Sequence, residues 1–99
     1  MGTVIEVATF RLKAGTTVDE FVAINAAYQT EFAYQQPGLR RRTVAPGLDG
    51  EWLVLTVWDS KSDVHRAHEE AARSTVAHDF EAYVEPSSKS VAYFKELPG

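Results

Sequence analysis

The stretch Glu51-Trp-Leu-Val-Leu-Thr-Val-Trp58 restricts the possible folds more than any other part of the chain. At the two-residue period of a β-strand, Leu53, Leu55 and Val57 fall on one face, and Trp52, Val54, Thr56 and Trp58 on the other. Both faces are largely apolar. A strand with one face in water alternates apolar and polar residues, so this one is expected inside a sheet that is covered on both sides. Asp59-Ser60 follows at once and starts a helix, because a serine hydroxyl placed there can accept from a free backbone N–H.

One covering layer must come from the chain's own helices, and its length limits what else it can supply. With 99 residues there is material for one core, and residues 1–99 are expected to form a single domain. A domain of this size buries only about two-thirds of its unfolded surface, which favours burial against a second copy. A composition of 44% hydrophobic and 24% charged residues is that of a folded chain and excludes disorder. Ten Lys and Arg against 14 Asp and Glu leave a net charge of -4, which repels phosphate backbones and anionic bilayers, so neither nucleic acid nor membrane is an expected partner. No apolar run approaches the roughly 20 residues of a membrane-spanning helix. The amino terminus lacks the basic start and apolar stretch of a signal peptide, which points to the cytoplasm. Without cysteine there are no disulfides, thiol nucleophiles, iron–sulfur clusters or thiolate zinc sites.

Along the chain, Val4 to Leu12 reads as a first strand with Ile5 and Val7 on one face; Val4, Ala8, Phe10 and Leu12 share the other, where Glu6 interrupts them. Ala14-Gly15-Thr16 turns the chain and Thr17-Val-Asp-Glu20 forms a capping box. Val18, Phe21, Ile24 (or Asn25), Tyr28 and Phe32 then recur at helical spacing to about Tyr34, and Gln35-Gln36-Pro37-Gly38 stops the helix. Leu39 to Ala45 is a second strand carrying Arg40, Arg41 and Arg42, a run that suits a sheet edge. Pro46 to Gly50 makes a hairpin into the central strand. Ser60 caps a helix through Val64, Ala67, Ala71 and Ala72, and Ser74 caps a shorter one with Val76, Phe80, Tyr83 and Val84. Ser90 to Leu97 is the final strand.

This order, βαββα(α)β, is the split arrangement of ferredoxin-like α+β sandwiches. It places the third strand between the first and second and both helices on one face. The remaining face is then expected to carry Trp52, Val54 and Trp58 bare, beside Val4, Ala8 and Phe10. A bare apolar patch of that extent marks an interface or a ligand site. Two such sheets packed across a two-fold axis would bury both patches.

From Val4-Ile-Glu-Val-Ala-Thr-Phe-Arg-Leu-Lys-Ala-Gly15, through Gln36-Pro37-Gly38-Leu39, to Trp58-Asp-Ser60, the chain resembles the dimeric α/β-barrel superfamily, specifically its antibiotic-biosynthesis-monooxygenase-like group. The resemblance implies a homodimer whose two sheets form a barrel, with a cavity in each subunit between the sheet and the helices after the third strand. Members include cofactor-independent monooxygenases acting on quinols and phenols, haem-degrading monooxygenases, polyketide cyclases and muconolactone isomerases. The haem-degrading members use an asparagine, a tryptophan and a histidine at places that here hold Ala8, Ala67, and Ala77 or His78, so the chain departs from their pattern. Quinol-oxidising relatives often carry a histidine in the helix after the strand-end tryptophan; His68 is similar, about one residue late.

Several side chains are candidates for chemistry. Glu6, if its face lines the cavity, is a desolvated carboxylate able to act as general acid or base, or it pairs with an arginine. A simple hairpin sets Ala45 against Trp52 and Arg41 against Thr56, making Arg41 that partner, while a single bulge would substitute Arg40 or Arg42. Such a guanidinium could hold an enolate oxygen. His68 or His78 would be the base, since imidazole changes charge near neutral pH. His65, His68 and His78 match no established metal-ligand spacing, and no metal is expected. Trp52 and Trp58, with Thr56, Phe10, Phe94 and Tyr93, would form the wall for a flat ligand, or simply pack the core or a dimer. The expected function is a cofactor-independent monooxygenase acting on a small aromatic, quinol or polyketide-like substrate. The alternatives are a proton-transfer cyclase or isomerase, or a ligand-binding dimer without catalysis.

Overall fold

The computed structural model describes residues 2–98; Met1 and Gly99, the ends of the expected domain, lie outside them. Strands β1 (Val4–Phe10), β2 (Leu39–Pro46), β3 (Trp52–Trp58) and β4 (Ser90–Lys95) form one antiparallel sheet in the order β2-β3-β1-β4. Helices α1 (Val18–Glu31), α2 (Lys61–Ala71) and α3 (Thr75–Glu81) complete a ferredoxin-like α+β fold, with β3 between β1 and β2 as its apolar faces require. The first strand ends earlier than its alternation implies, and Leu12 instead makes an isolated bridge to Val84. Among the described residues no helix is long and apolar enough to cross a membrane.

Each helix begins where its cap is written. Thr17 Oγ1 accepts from the Glu20 N–H at 3.1 Å, while Glu20 Oε1 accepts from the Thr17 N–H at 2.8 Å, closing the capping box of α1. Ser60 and Ser74 accept from the N–H groups of Asp63 and Ala77, at 3.2 and 3.1 Å, to start α2 and α3. After α1, a short 3₁₀ turn (Ala33–Gln35) leads into Pro37-Gly38. Gly38 has φ of +85°, its carbonyl accepts from the Asp59 N–H at 2.7 Å, and a Cβ on it would run into the Asp63 side chain. That corner ties the start of β2 to the start of α2.

The faces of the sheet are exchanged relative to expectation. All three helices lie over the face bearing Trp52, Val54, Thr56 and Trp58, which is buried, while Ile5, Val7, Leu53, Leu55 and Val57 on the opposite face stay half-buried and Phe94 there is 55% exposed. Volume explains the choice, because the gap between a sheet and a helix layer needs large side chains to fill it. Phe21 of α1 sits 4.8 Å from Trp52, 5.8 Å from Phe10 and 5.4 Å from Phe80 of α3, ring centre to ring centre. A phenylalanine buried in this way is worth about 3–5 kcal/mol against alanine. Trp58 does the same at the other end, packed by Val64 and Ala67 of α2 with Val4 and Leu39.

The second correction concerns β2. Pro46, not Ala45, opposes Trp52, so Val44 meets Val54 and Arg42 meets Thr56. A shift of one residue turns every side chain of the strand to the other face. Arg41 therefore opposes Val57 on the half-buried face and is exposed, and Arg42 is the arginine that points under the helices. A bulge at Arg40 then restores Leu39 to its place opposite Trp58. Arg40 itself reaches Asp59 at 3.4 Å.

Replacing Gly38 by alanine would force a left-handed backbone on a residue with a Cβ and displace Asp63 from the start of α2. The expected loss is on the order of 2 kcal/mol in urea denaturation; an unchanged midpoint would contradict the role given to this corner.

Candidate functional site

Strand register sorts the helix-facing side of the sheet into rows. Pro46, Trp52 and Phe10 form one; Val44, Val54, Ala8 and Val91 form the next; Leu39, Trp58, Val4 and Lys95 form the last. Between these largely apolar rows runs Arg42–Thr56–Glu6–Tyr93, which is polar across all four strands. Over it, beneath the helices, lies a cavity of about 300 Å³ walled by Ala8, Val54, Trp58, Phe32, Ala67 and Phe80. The polar row is its floor, and His68 of α2 stands at its edge.

Glu6 is the hub of one end. Its carboxylate is 15% exposed; Oε1 accepts from Trp58 Nε1–H at 3.0 Å, and Oε2 accepts from the Tyr93 hydroxyl at 3.2 Å and lies 3.4 Å from His68 Nε2. His68 Nε2 is also 3.5 Å from the Tyr93 oxygen. Burial, then the negative charge of Glu6 and the hydrogen bond to it, push the Tyr93 phenol up to about 12. Tyr93 thus keeps its proton and remains a donor. When His68 donates from Nε2 to Glu6, its Nδ1 carries the free lone pair.

Arg42 holds the other end. It is 8% exposed, donates from Nη1 to Asn25 Oδ1 at 2.8 Å and Gln29 Oε1 at 3.3 Å on α1, and stacks 4.8 Å from the Tyr28 ring and 5.6 Å from Phe80. Burial draws its pKa below the usual guanidinium value, against the opposing pull of Tyr28, Tyr34 and Glu6. A guanidinium nevertheless stays charged in proteins. Burial raises the Tyr28 phenol, and the charge of Arg42 offsets part of that rise. Among the described residues, no carboxylate forms a salt bridge with Arg42.

Of the candidate residues, Glu6, His68, Trp58, Thr56, Phe10 and Tyr93 line one cavity. Arg41 does not, for the register reason already given, and Arg42 stands in its place. His78 is exposed on α3 and lies outside the lining, because the buried positions of that short helix are Ala77 and Phe80. Trp52 is consumed by packing on Phe21. His65 is exposed and borders a groove between α2 and β4 that shares His68 and Tyr93 with the cavity. Among the described residues, no three His, Asp or Glu side chains converge to hold a metal ion. Asn25 and Gln29 are new to the site; two amides four apart on an otherwise apolar helical face were the available signal.

Because the folded state binds the Tyr93 proton more tightly than the unfolded chain does, the stability it contributes is complete below pH 10 and is lost as pH rises towards 12. Tyr93→Phe is therefore expected to flatten the decline of urea stability over that window, and an equally steep decline in the variant would contradict the raised Tyr93 phenol.

Residues 3–86 match the family of antibiotic biosynthesis monooxygenases. Among solved structures, SnoaB, a cofactor-independent oxygenase from Streptomyces nogalater, is similar with a TM-score of 0.80 at 20% identity, over 100% of this chain and 97% of that one. A putative antibiotic biosynthesis monooxygenase from Caulobacter crescentus CB15 gives 0.76 at 15% identity, over 98% and 92% of the two chains. Rv0793 from Mycobacterium tuberculosis gives 0.72 at 17%, over 98% and 97%. No curated protein matches the chain in sequence. The family match spans nearly the whole chain, and the fold is shared end to end with these structures: the protein belongs to the antibiotic biosynthesis monooxygenase family.

Proposed function

We propose that this protein is a cofactor-independent monooxygenase that oxidises a small aromatic, quinol or polyketide-like substrate, working as a homodimer in the cytoplasm. The observation that carries this reading is the single polar row on the floor of an apolar cavity, with His68, Glu6 and Tyr93 at one end and a buried cation at the other. Flat apolar walls suit an aromatic ring, and the two polar ends suit its oxygen substituents.

In this scheme the His68 imidazole removes a proton from the substrate, and the Glu6 carboxylate stabilises the resulting imidazolium. Negative charge left on the ring is favoured by the field of Arg42 in a site of low dielectric. The electron-rich anion then passes an electron to O₂, and recombination forms a carbon–peroxide bond. Protonation of the peroxide and loss of water convert a CH₂ group into a carbonyl, so that CH₂ and O₂ become C=O and H₂O. Every electron is supplied by the substrate. Membership of the monooxygenase family supports this choice over other uses of the same site.

Oxygen uptake by metal-free protein over a panel of quinols and phenols tests the scheme. For substrates with a ring carbon that can be drawn as CH₂ in the keto form, one O₂ consumed and one water released per new carbonyl, without H₂O₂, is expected, with a roughly 100- to 10,000-fold loss of kcat in His68→Ala. Turnover by cyclisation or isomerisation without O₂ would contradict it.

The homodimer rests on the other face of the sheet. Ile5, Val7, Leu53, Leu55 and Val57 form a half-buried apolar surface with the exposed Phe94 beside them, which a second copy related by a two-fold axis would cover. Light scattering at micromolar concentration is expected to give a mass near twice 11.0 kDa, with Leu55→Asp shifting it to the monomer. A wild-type monomer would overturn the pairing.

A further inference from the structure

Resting on the substrate class just given, we propose that the substrate is an aromatic hydroxy acid whose carboxylate docks on Arg42, with its hydroxyl directed to the His68–Tyr93 end. Arg42 spends only one of its nitrogens inside the protein, since its two hydrogen bonds, to Asn25 and Gln29, both leave from Nη1. Nε and Nη2 make none. Yet among the described residues no fully buried side-chain nitrogen or oxygen lacks a partner. Those two nitrogens therefore stay reachable, and the space that Arg42 lines is the cavity.

Nε–H and Nη2–H lie along one edge of a guanidinium and point in parallel, the spacing that two carboxylate oxygens accept together. A neutral carbonyl offers one oxygen to that edge. The chain has no acid of its own to place there. Glu6 is occupied by Trp58, Tyr93 and His68, and Glu81, the other acid at the cavity, accepts from Lys89 Nζ at 2.8 Å. A charge that is taken out of water and left without a counter-ion favours a ligand that brings one.

The spacing also fits. Arg42 and Glu6 share a row with β3 between them, so their backbones stand about 9–10 Å apart. Tyr93 stands one strand beyond Glu6, so a ligand between Arg42 and Tyr93 lies along the row, as a two-ring skeleton with carboxylate and hydroxyl at opposite ends can. Asn25 and Gln29 act as positioning residues, holding the guanidinium by Nη1 and leaving its Nε–Nη2 edge free.

The test compares 6-hydroxy-2-naphthoate with its carboxamide by titration calorimetry. Wild-type protein is expected to bind the acid about tenfold more tightly, the difference between a charge-assisted and a neutral hydrogen-bonded pair. Arg42→Met is expected to abolish that preference, because it weakens the acid more than the amide. Should that variant not fold, Arg42→Lys, which keeps the charge and loses the two-pronged edge, is expected to reduce it. Equal or weaker binding of the acid by the wild type would overturn the proposal, as would a preference that survives in folded Arg42→Met. Oxygen uptake separates the two readings. Acid preference without O₂ consumption supports this inference and removes the oxygenase scheme, whereas uptake with neutral quinols and no acid preference does the reverse.

Discussion

The pairing of β2 with β3 is the constraint on which the site depends. Three arginines occur in succession, and an alternating strand can turn only one of the last two under the helices. Pairing Pro46 with Trp52 selects Arg42 and sends Arg41 outward, and the bulge at Arg40 absorbs the mismatch before Leu39. The same register brings Thr56, Glu6 and Tyr93 into line with Arg42, so that a single choice at a hairpin assembles a floor from all four strands. A polar row inside an apolar layer is costly unless its members are paired. Here Trp58, Tyr93 and His68 satisfy Glu6, while two amides and two aromatic rings hold Arg42.

Space for a ligand follows from an uneven distribution of side-chain size. Where Phe10, Phe21, Trp52 and Phe80 meet, the layers are filled ring against ring. Next to them Ala8 and Val54 on the sheet face Ala33, Ala67 and Ala71 from the helix side, and these small residues leave the cavity open. Tyr93 comes from β4, an edge strand exposed along its whole length, and His68 from a half-exposed position on α2. The Glu6–His68–Tyr93 end is therefore the more accessible end, and the Arg42 end is the buried one.

Much of the fold was legible because its signals are local. The capping box of α1, the serine caps of α2 and α3, the Pro37-Gly38 corner and the period-two strands each depend on residues within a turn or two of one another, and their order implies the topology. Glu6 could be singled out because an acid among Val4, Ala8 and Phe10 breaks a pattern. The face of β3 that receives the helices could not be read from alternation, since both faces are apolar and only the volume of the tryptophans distinguishes them. The choice among Arg40, Arg41 and Arg42 stayed open for a related reason: a hairpin register depends on turn geometry, and three identical residues offer no contrast by which to detect a slip. His78 looked equivalent to His68 because both sit on helices, but His68 on α2 lies 3.4 Å from Glu6, whereas His78 on α3 is exposed and outside the cavity lining.

The most direct measurement is the electron density of an aromatic quinol soaked into crystals of the protein. The polar row predicts an ordered ring lying over Ala8 and Val54, with one oxygen within hydrogen-bond reach of His68 or Tyr93 and with Arg42 on the same side of the sheet. Density for the ligand outside this cavity, or Arg41 in place of Arg42 beneath the helices, would contradict it.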